Sequence, residues 1–191
     1  MAKTTTKKTT KKKPKLSLPN LIFSIVGMVG AVLSYIALAF NFINIQTKGI
    51  LSGSTTNTPM TLSEWFKKIN ADQKTNASLE GSIVLGDAHI DIEGWATARA
   101  FLIITLVLVA IVAIALAVKF FVNHKILNWA TLAVSVLTVV SALVFIIMVY
   151  AGGSPFNTQY IKYLADVGAW FVTLGAVIAG AMGIVVARKI K

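Results

Sequence analysis

Apolar residues gather into four long runs, Leu21–Ile43, Ala100–Val122, Ile126–Tyr150 and Val167–Val186, divided by segments of very different polarity. At 1.5 Å of rise per residue, a helix needs about 20 residues to cross roughly 30 Å of hydrocarbon. Each run meets that length, and none contains proline. The pattern predicts an all-α integral membrane protein, a four-helix transmembrane bundle with a small α+β extracytoplasmic cap. The spans fall at 20–43, 98–122, 126–150 and 164–187. Residues 123–125 are too few for anything but the turn of an antiparallel helical hairpin, and 151–163 form a short outer loop. The long polar segment, 44–97, is the natural place for function.

Within that segment the pattern changes twice. Residues 49–58 are rich in Gly, Ser and Thr and read as flexible connection. Thr61 with Glu64 three residues on then forms a capping box, opening a helix over 61–70. Leu62, Trp65, Phe66 and Ile69 recur at i, i+3, i+4 and i+7, giving a continuous apolar face while Glu64, Lys67 and Lys68 point away. So short a helix is marginal in water. It needs a surface to dock on: the rest of the loop, the membrane interface or a partner protein. Further on, Ser82–Leu85 and His89–Ile92 flank Gly86-Asp87-Ala88, which predicts a β-hairpin over 82–93. Asp87, Asp91 and Glu93 make an acidic cluster there, read either as a solvated face or as a cation-attracting one. His89 has no second ligand at metal spacing.

Composition agrees with the pattern. With 56% hydrophobic and 13% charged residues and a mean hydropathy of +0.76, the chain is too apolar for an ordinary soluble domain. Its formal charge of +11 invites a nucleic-acid partner until its distribution is examined. Lys3, Lys7, Lys8, Lys11, Lys12, Lys13 and Lys15 crowd the N-terminal tract, Arg188, Lys189 and Lys191 follow the last span, and Lys119 and Lys125 bracket the short turn. The long loop is instead nearly balanced between basic and acidic residues. By the positive-inside rule, both termini and the short turn are cytoplasmic, and the long loop is outside. The charge sets topology in a plasma membrane and implies no nucleic-acid partner. The Lys/Thr tract, 1–19, is expected to be a disordered tail drawn to anionic inner-leaflet lipid, and the first run an uncleaved signal anchor. No cysteine is present, so the loop is held without disulfides.

The spans themselves carry two kinds of small residue. Gly27, Gly30, Ala31 and Ser34 in the first, and Gly168, Gly175, Ala176, Ala179, Gly180 and Gly183 in the fourth, let helices approach closely, within one bundle or between subunits. Thr131, Ser135, Thr138 and Ser141 form a polar stripe in the third. Such a stripe either bonds neighbouring helices or lines a solute path, but no ionisable or amide group lies at mid-depth to support transport. Lys119 and Arg99 sit at the ends of the second run, placed to snorkel.

At the loop's exit, Trp95-Ala96-Thr97-Ala98-Arg99-Ala100-Phe101 resembles the claudin and peripheral-myelin-protein superfamily. The long first outer loop, the short second one and the Gly/Ala-rich fourth span with Trp170 are similar too. That resemblance implies a small sheet and helix on a four-helix bundle, lateral association, and Arg99 as an anchor bonding to the loop. The family's first-loop cysteine pair is missing, so tight-junction strand formation does not carry over. No catalytic set, phosphate loop or metal motif stands out, and no cofactor is expected. The sequence therefore predicts a non-catalytic protein acting by contact with other membrane proteins or with itself, as a scaffold or accessory subunit. A small-solute transporter or channel is the alternative. The interaction candidates are Leu62, Trp65, Phe66 and Ile69 on the loop helix, Trp95 and Arg99 at its exit, and Gly175, Ala179, Gly180 and Gly183 on the last span.

Overall fold

A computed structural model describes residues 18–49, 53–80, 93–122, 124–154 and 160–188. Four of its helices are long and apolar enough to cross a membrane: α1 (Leu18–Ile36), which continues through a 3₁₀ turn at Ala37–Ala39, α3 (Glu93–Val118), α4 (Lys125–Gly153) and α5 (Val167–Arg188). A fifth helix, α2 (Leu62–Glu80), and the strands β1 (Asn41–Lys48), β2 (Thr55–Thr61) and β3 (Ile161–Ala165) complete the fold. In the bundle α5 packs on α1 and α4, and α3 packs on α4 and α1. β1 and β3 follow the ends of α1 and α4 and precede, through β2 and α2 or directly, the starts of α3 and α5. The sheet and α2 therefore stand together at one end of the bundle.

Glycine sets how closely the helices approach. A Cβ on Gly30 would lie 2.8 Å from the Gly175 carbonyl oxygen, and one on Gly175 would lie 2.5 Å from that of Gly30. The two backbones thus meet directly, and Ser34 closes the contact by donating to the Gly30 and Val172 carbonyls at 3.2 and 3.3 Å. On the other side of α5, Gly180 lies against Val139 and Ser135, and Gly183 against the Ser135 hydroxyl. The small-residue face of α5 is consumed within the chain.

The α4 stripe also turns inward. Thr131 and Thr138 donate to carbonyls one turn back in their own helix, at 2.7 and 2.8 Å. Ser141 shares a 2.7 Å hydrogen bond with Thr105 of α3. All three residues are buried, and their hydroxyls are engaged inside the protein. Lys119, expected to snorkel, is instead 1% exposed, and its ammonium has no partner among the described residues.

Several boundaries depart from the sequence reading. The first span ends at Ala39 rather than Ile43, because Asn41–Lys48 forms the central strand of a three-stranded antiparallel sheet of order β2-β1-β3. Its pairing on both sides satisfies backbone groups that a longer helix would have satisfied internally. Residues 55–58, expected as flexible connection, belong to β2, whose threonines suit a pleated strand. Gly53, at φ +64°, lets the chain turn between these strands. Pro59 is tolerated because β2 is an edge strand. Residues 161–163, taken as outer loop, lie in β3, and α2 runs to Glu80 rather than 70. The hairpin expected over 82–93 falls outside the described residues except for Glu93, as do the acidic cluster's Asp87 and Asp91, His89 and residues 1–17 of the N-terminal tract, whose last two residues, Leu18 and Pro19, instead open α1.

Candidate functional site

The junction between cap and bundle is built from aromatic residues on four elements, β1, α2, α3 and β3. β1 makes one irregular step, an extra residue at Phe42 between the pairs Asn41–Thr61 and Ile43–Met60. A bulge of this kind breaks the strict alternation of sides, and here both Phe42 and Ile43 are buried. Phe42 stacks on Trp65 of α2, with ring centroids 6.4 Å apart and planes at 15°. Trp65 meets Trp95, in the first turn of α3, edge to face at 6.5 Å and 83°. Trp95 in turn meets Tyr163 of β3 at 5.3 Å and 71°. Trp65 and Trp95 are both 0% exposed. Each such pair contributes about 0.5–1.5 kcal/mol beyond the area it buries, so the seam ties α2 and the sheet to α3.

Close backbone approach makes room for the tryptophans. A Cβ on Gly94 would lie 2.5 Å from the Gly152 Cα, and one on Gly153 would lie 3.0 Å from the Tyr163 Cβ. Gly152 and Gly153 are the last turn of α4, and only side chains this small let α3 cross it while Trp95 fills the space beside them. Their adjacency had the look of a loop in the sequence.

The predicted apolar face of α2 is real, and it points inward. Trp65 and Ile69 are buried, with Leu62 and Phe66 half-buried against the same core. Of the surfaces left open for it, the rest of the chain is what it docks on. Its start is fixed as expected: the Thr61 N–H donates to Glu64 Oε2 at 2.7 Å, and the Glu64 N–H donates back to the Thr61 hydroxyl at 3.3 Å. The Thr61 backbone bond first, then its hydroxyl and the nearby Lys67 charge, hold the Glu64 carboxyl below its ordinary 4.5. Beyond residue 70 the helix continues with a Lys68–Asp72 ion pair at 3.2 Å, one turn apart.

Arg99 anchors the loop through a partner the sequence did not suggest. Its guanidinium donates to the Asn70 side-chain oxygen at 2.6 Å, and its Cζ lies 5.8 Å from the Phe66 ring centroid. It thus clamps the middle of α2 to the start of α3. Asn70 and Phe66 are one turn apart on α2, which is the signal that identifies Asn70 once the helix is known.

Of the interaction candidates, Trp65, Ile69 and Trp95 come together in the seam, with Leu62, Phe66 and Arg99 around them. Gly175, Ala179, Gly180 and Gly183 lie apart from it, inside the bundle, and present no face to a partner. The cap's outward surface is different in kind: polar side chains of β1, β2 and β3 on the sheet side facing away from the seam, and the Ser63, Glu64 and Lys67 side of α2. Among the described residues, no three His, Asp or Glu side chains gather as a metal set. No model of a known protein family matches the chain, and no curated protein matches it significantly.

Proposed function

We propose that this is a multi-pass membrane protein of the plasma membrane that holds the sheet and α2 outside as a rigid, non-catalytic module for contact with other membrane proteins or with further copies of itself. The observation that carries the reading is the aromatic seam from Phe42 through Trp65 and Trp95 to Tyr163. With Leu62, Phe66 and Ile69 packed against the same core, it fastens the cap to the bundle, so the cap is a fixed platform with a polar outer surface. Orientation rests on charge. Lys119, Lys125 and Arg188 lie at the bundle end remote from the cap, as do the segments leading to the remaining basic residues of both termini, which favours that end for the cytoplasm. The claudin-like resemblance implies the same manner of action. Transport has less support, since the α4 stripe is buried and the hydroxyls of Thr131, Thr138 and Ser141 are turned to internal bonds rather than to a path.

Extraction in mild detergent, followed by native mass and composition, tests the reading. Larger, different polypeptides that co-purify would identify an accessory subunit, and a homogeneous oligomer would identify a self-associating scaffold. A monomer without companions would contradict action by contact.

A further inference from the structure

The outward face of the sheet carries an open cleft of about 200 Å³, lined by Gln46, Lys48, Thr55, Tyr160 and Lys162. Strand register brings these residues together. Gln46 stands opposite Lys162 on β3, Lys48 stands opposite Thr55 on β2, and the Lys48 N–H donates to the Tyr160 carbonyl at 2.7 Å. Side chains two apart on a strand share a face, so Lys48 and Lys162 are diagonal neighbours across the β1–β3 ladder. Diagonal neighbours of this kind lie about 7–8 Å apart. Both ammonium groups are within reach of one point above Gln46.

Both lysines are exposed, and their flexible stems let both charges turn toward the cleft. No carboxylate among the described residues pairs with either lysine, and the cleft lining contains no acid. What it offers instead is donors: two ammonium groups, a carboxamide and the Thr55 hydroxyl. A concave, donor-rich, acid-free surface with two cations is complementary to a compact group carrying several acceptor oxygens and negative charge.

We propose that this cleft binds a small oxyanion, a phosphate, sulfate or carboxylate group, with Lys48 and Lys162 as its two charged contacts. Its size sets the scale of the ligand. About 200 Å³ is below the range of pockets that enclose drug-sized molecules, so the site takes a free inorganic anion or one oxyanion-bearing residue of a larger solute. The site belongs to the sheet and does not depend on how the protein faces in its membrane.

The test is a titration of the purified full-length protein with sodium phosphate, sulfate or acetate, each against sodium chloride at matched ionic strength. Backbone amide shifts of Gln46, Lys48 and Lys162 provide the readout. At least one oxyanion should give saturable shifts. Binding should weaken at least tenfold in Lys48→Gln and vanish in the Lys48→Gln/Lys162→Gln double variant. The double variant Lys48→Arg/Lys162→Arg, which keeps both charges, should bind within about threefold of the parent. The arm that saturates first separates tetrahedral phosphate or sulfate from planar carboxylate. Shifts that never saturate, that chloride reproduces, or that persist in the double glutamine variant would overturn the proposal.

Discussion

Thr61 decides where α2 begins, and it does so through two reciprocal hydrogen bonds with Glu64. Replacing Thr61 with Ala removes the hydroxyl that caps the first turn, a loss of about 1 kcal/mol for such positions. Amide exchange in the first turn of α2 should then quicken about fivefold. Glu64 adds a pH dependence whose sign follows from its lowered pKa. A carboxyl held lower in the folded state than in the unfolded one contributes stability above its unfolded pKa and loses it as the pH falls through the folded value. Protection of the first turn should therefore decline on acidification below the ordinary carboxylate range. In Glu64→Gln it should stay flat across that range.

At the scale of elements, the seam and the glycine contacts make opposite predictions about which part of the fold fails. Trp65→Ala empties a fully buried indole site, a change that costs about 3–5 kcal/mol. The loss should fall on the cap: α2 and the sheet become open to protease and exchange while the bundle persists. Gly175→Leu should strike the bundle instead, because its first side-chain carbon would meet the Gly30 carbonyl and the Ser34 hydroxyl at 2.5 Å. Overpacking of that kind costs about 1–3 kcal/mol, read as a lower thermal midpoint in detergent. The neighbouring Leu174, exposed on α5, should accept Ala with little change. Equal effects at 174 and 175 would contradict the internal α1–α5 contact.

These elements were legible in the sequence to different degrees, for physical reasons. The spanning helices stand out because their runs exceed the length of any buried strand. The apolar face of α2 was visible from its spacing, and its cap from Thr61 and Glu64. β1 was hidden because Phe40, Phe42 and Ile43 carry the apolar run past the helix end with only Asn41 interrupting it, and one polar residue does not mark a change from helix to strand. β3 is five residues whose partner lies over a hundred positions away in the chain, and pairing at that distance leaves no local pattern. Within the seam, Trp65, Trp95 and Arg99 could be singled out by type and position. Asn70 and the Gly152-Gly153 pair could not, since their roles exist only once α2, α3 and α4 meet.

At the scale of the whole molecule, the bundle fixes a polar-faced cap at one of its ends, and the proposed function has that end face out to meet partners. Contact with outside partners depends on which end faces out. The chain has no cysteine, so a single introduced thiol reports on one position without background. Asn57, on the exposed edge strand, samples the cap, and Thr5 samples the N-terminal tract. With a membrane-impermeant maleimide on intact cells, Asn57→Cys should label fully, and Thr5→Cys should label only after permeabilisation. Labelling of Thr5→Cys in intact cells, with Asn57→Cys protected until the membrane is opened, would contradict the account.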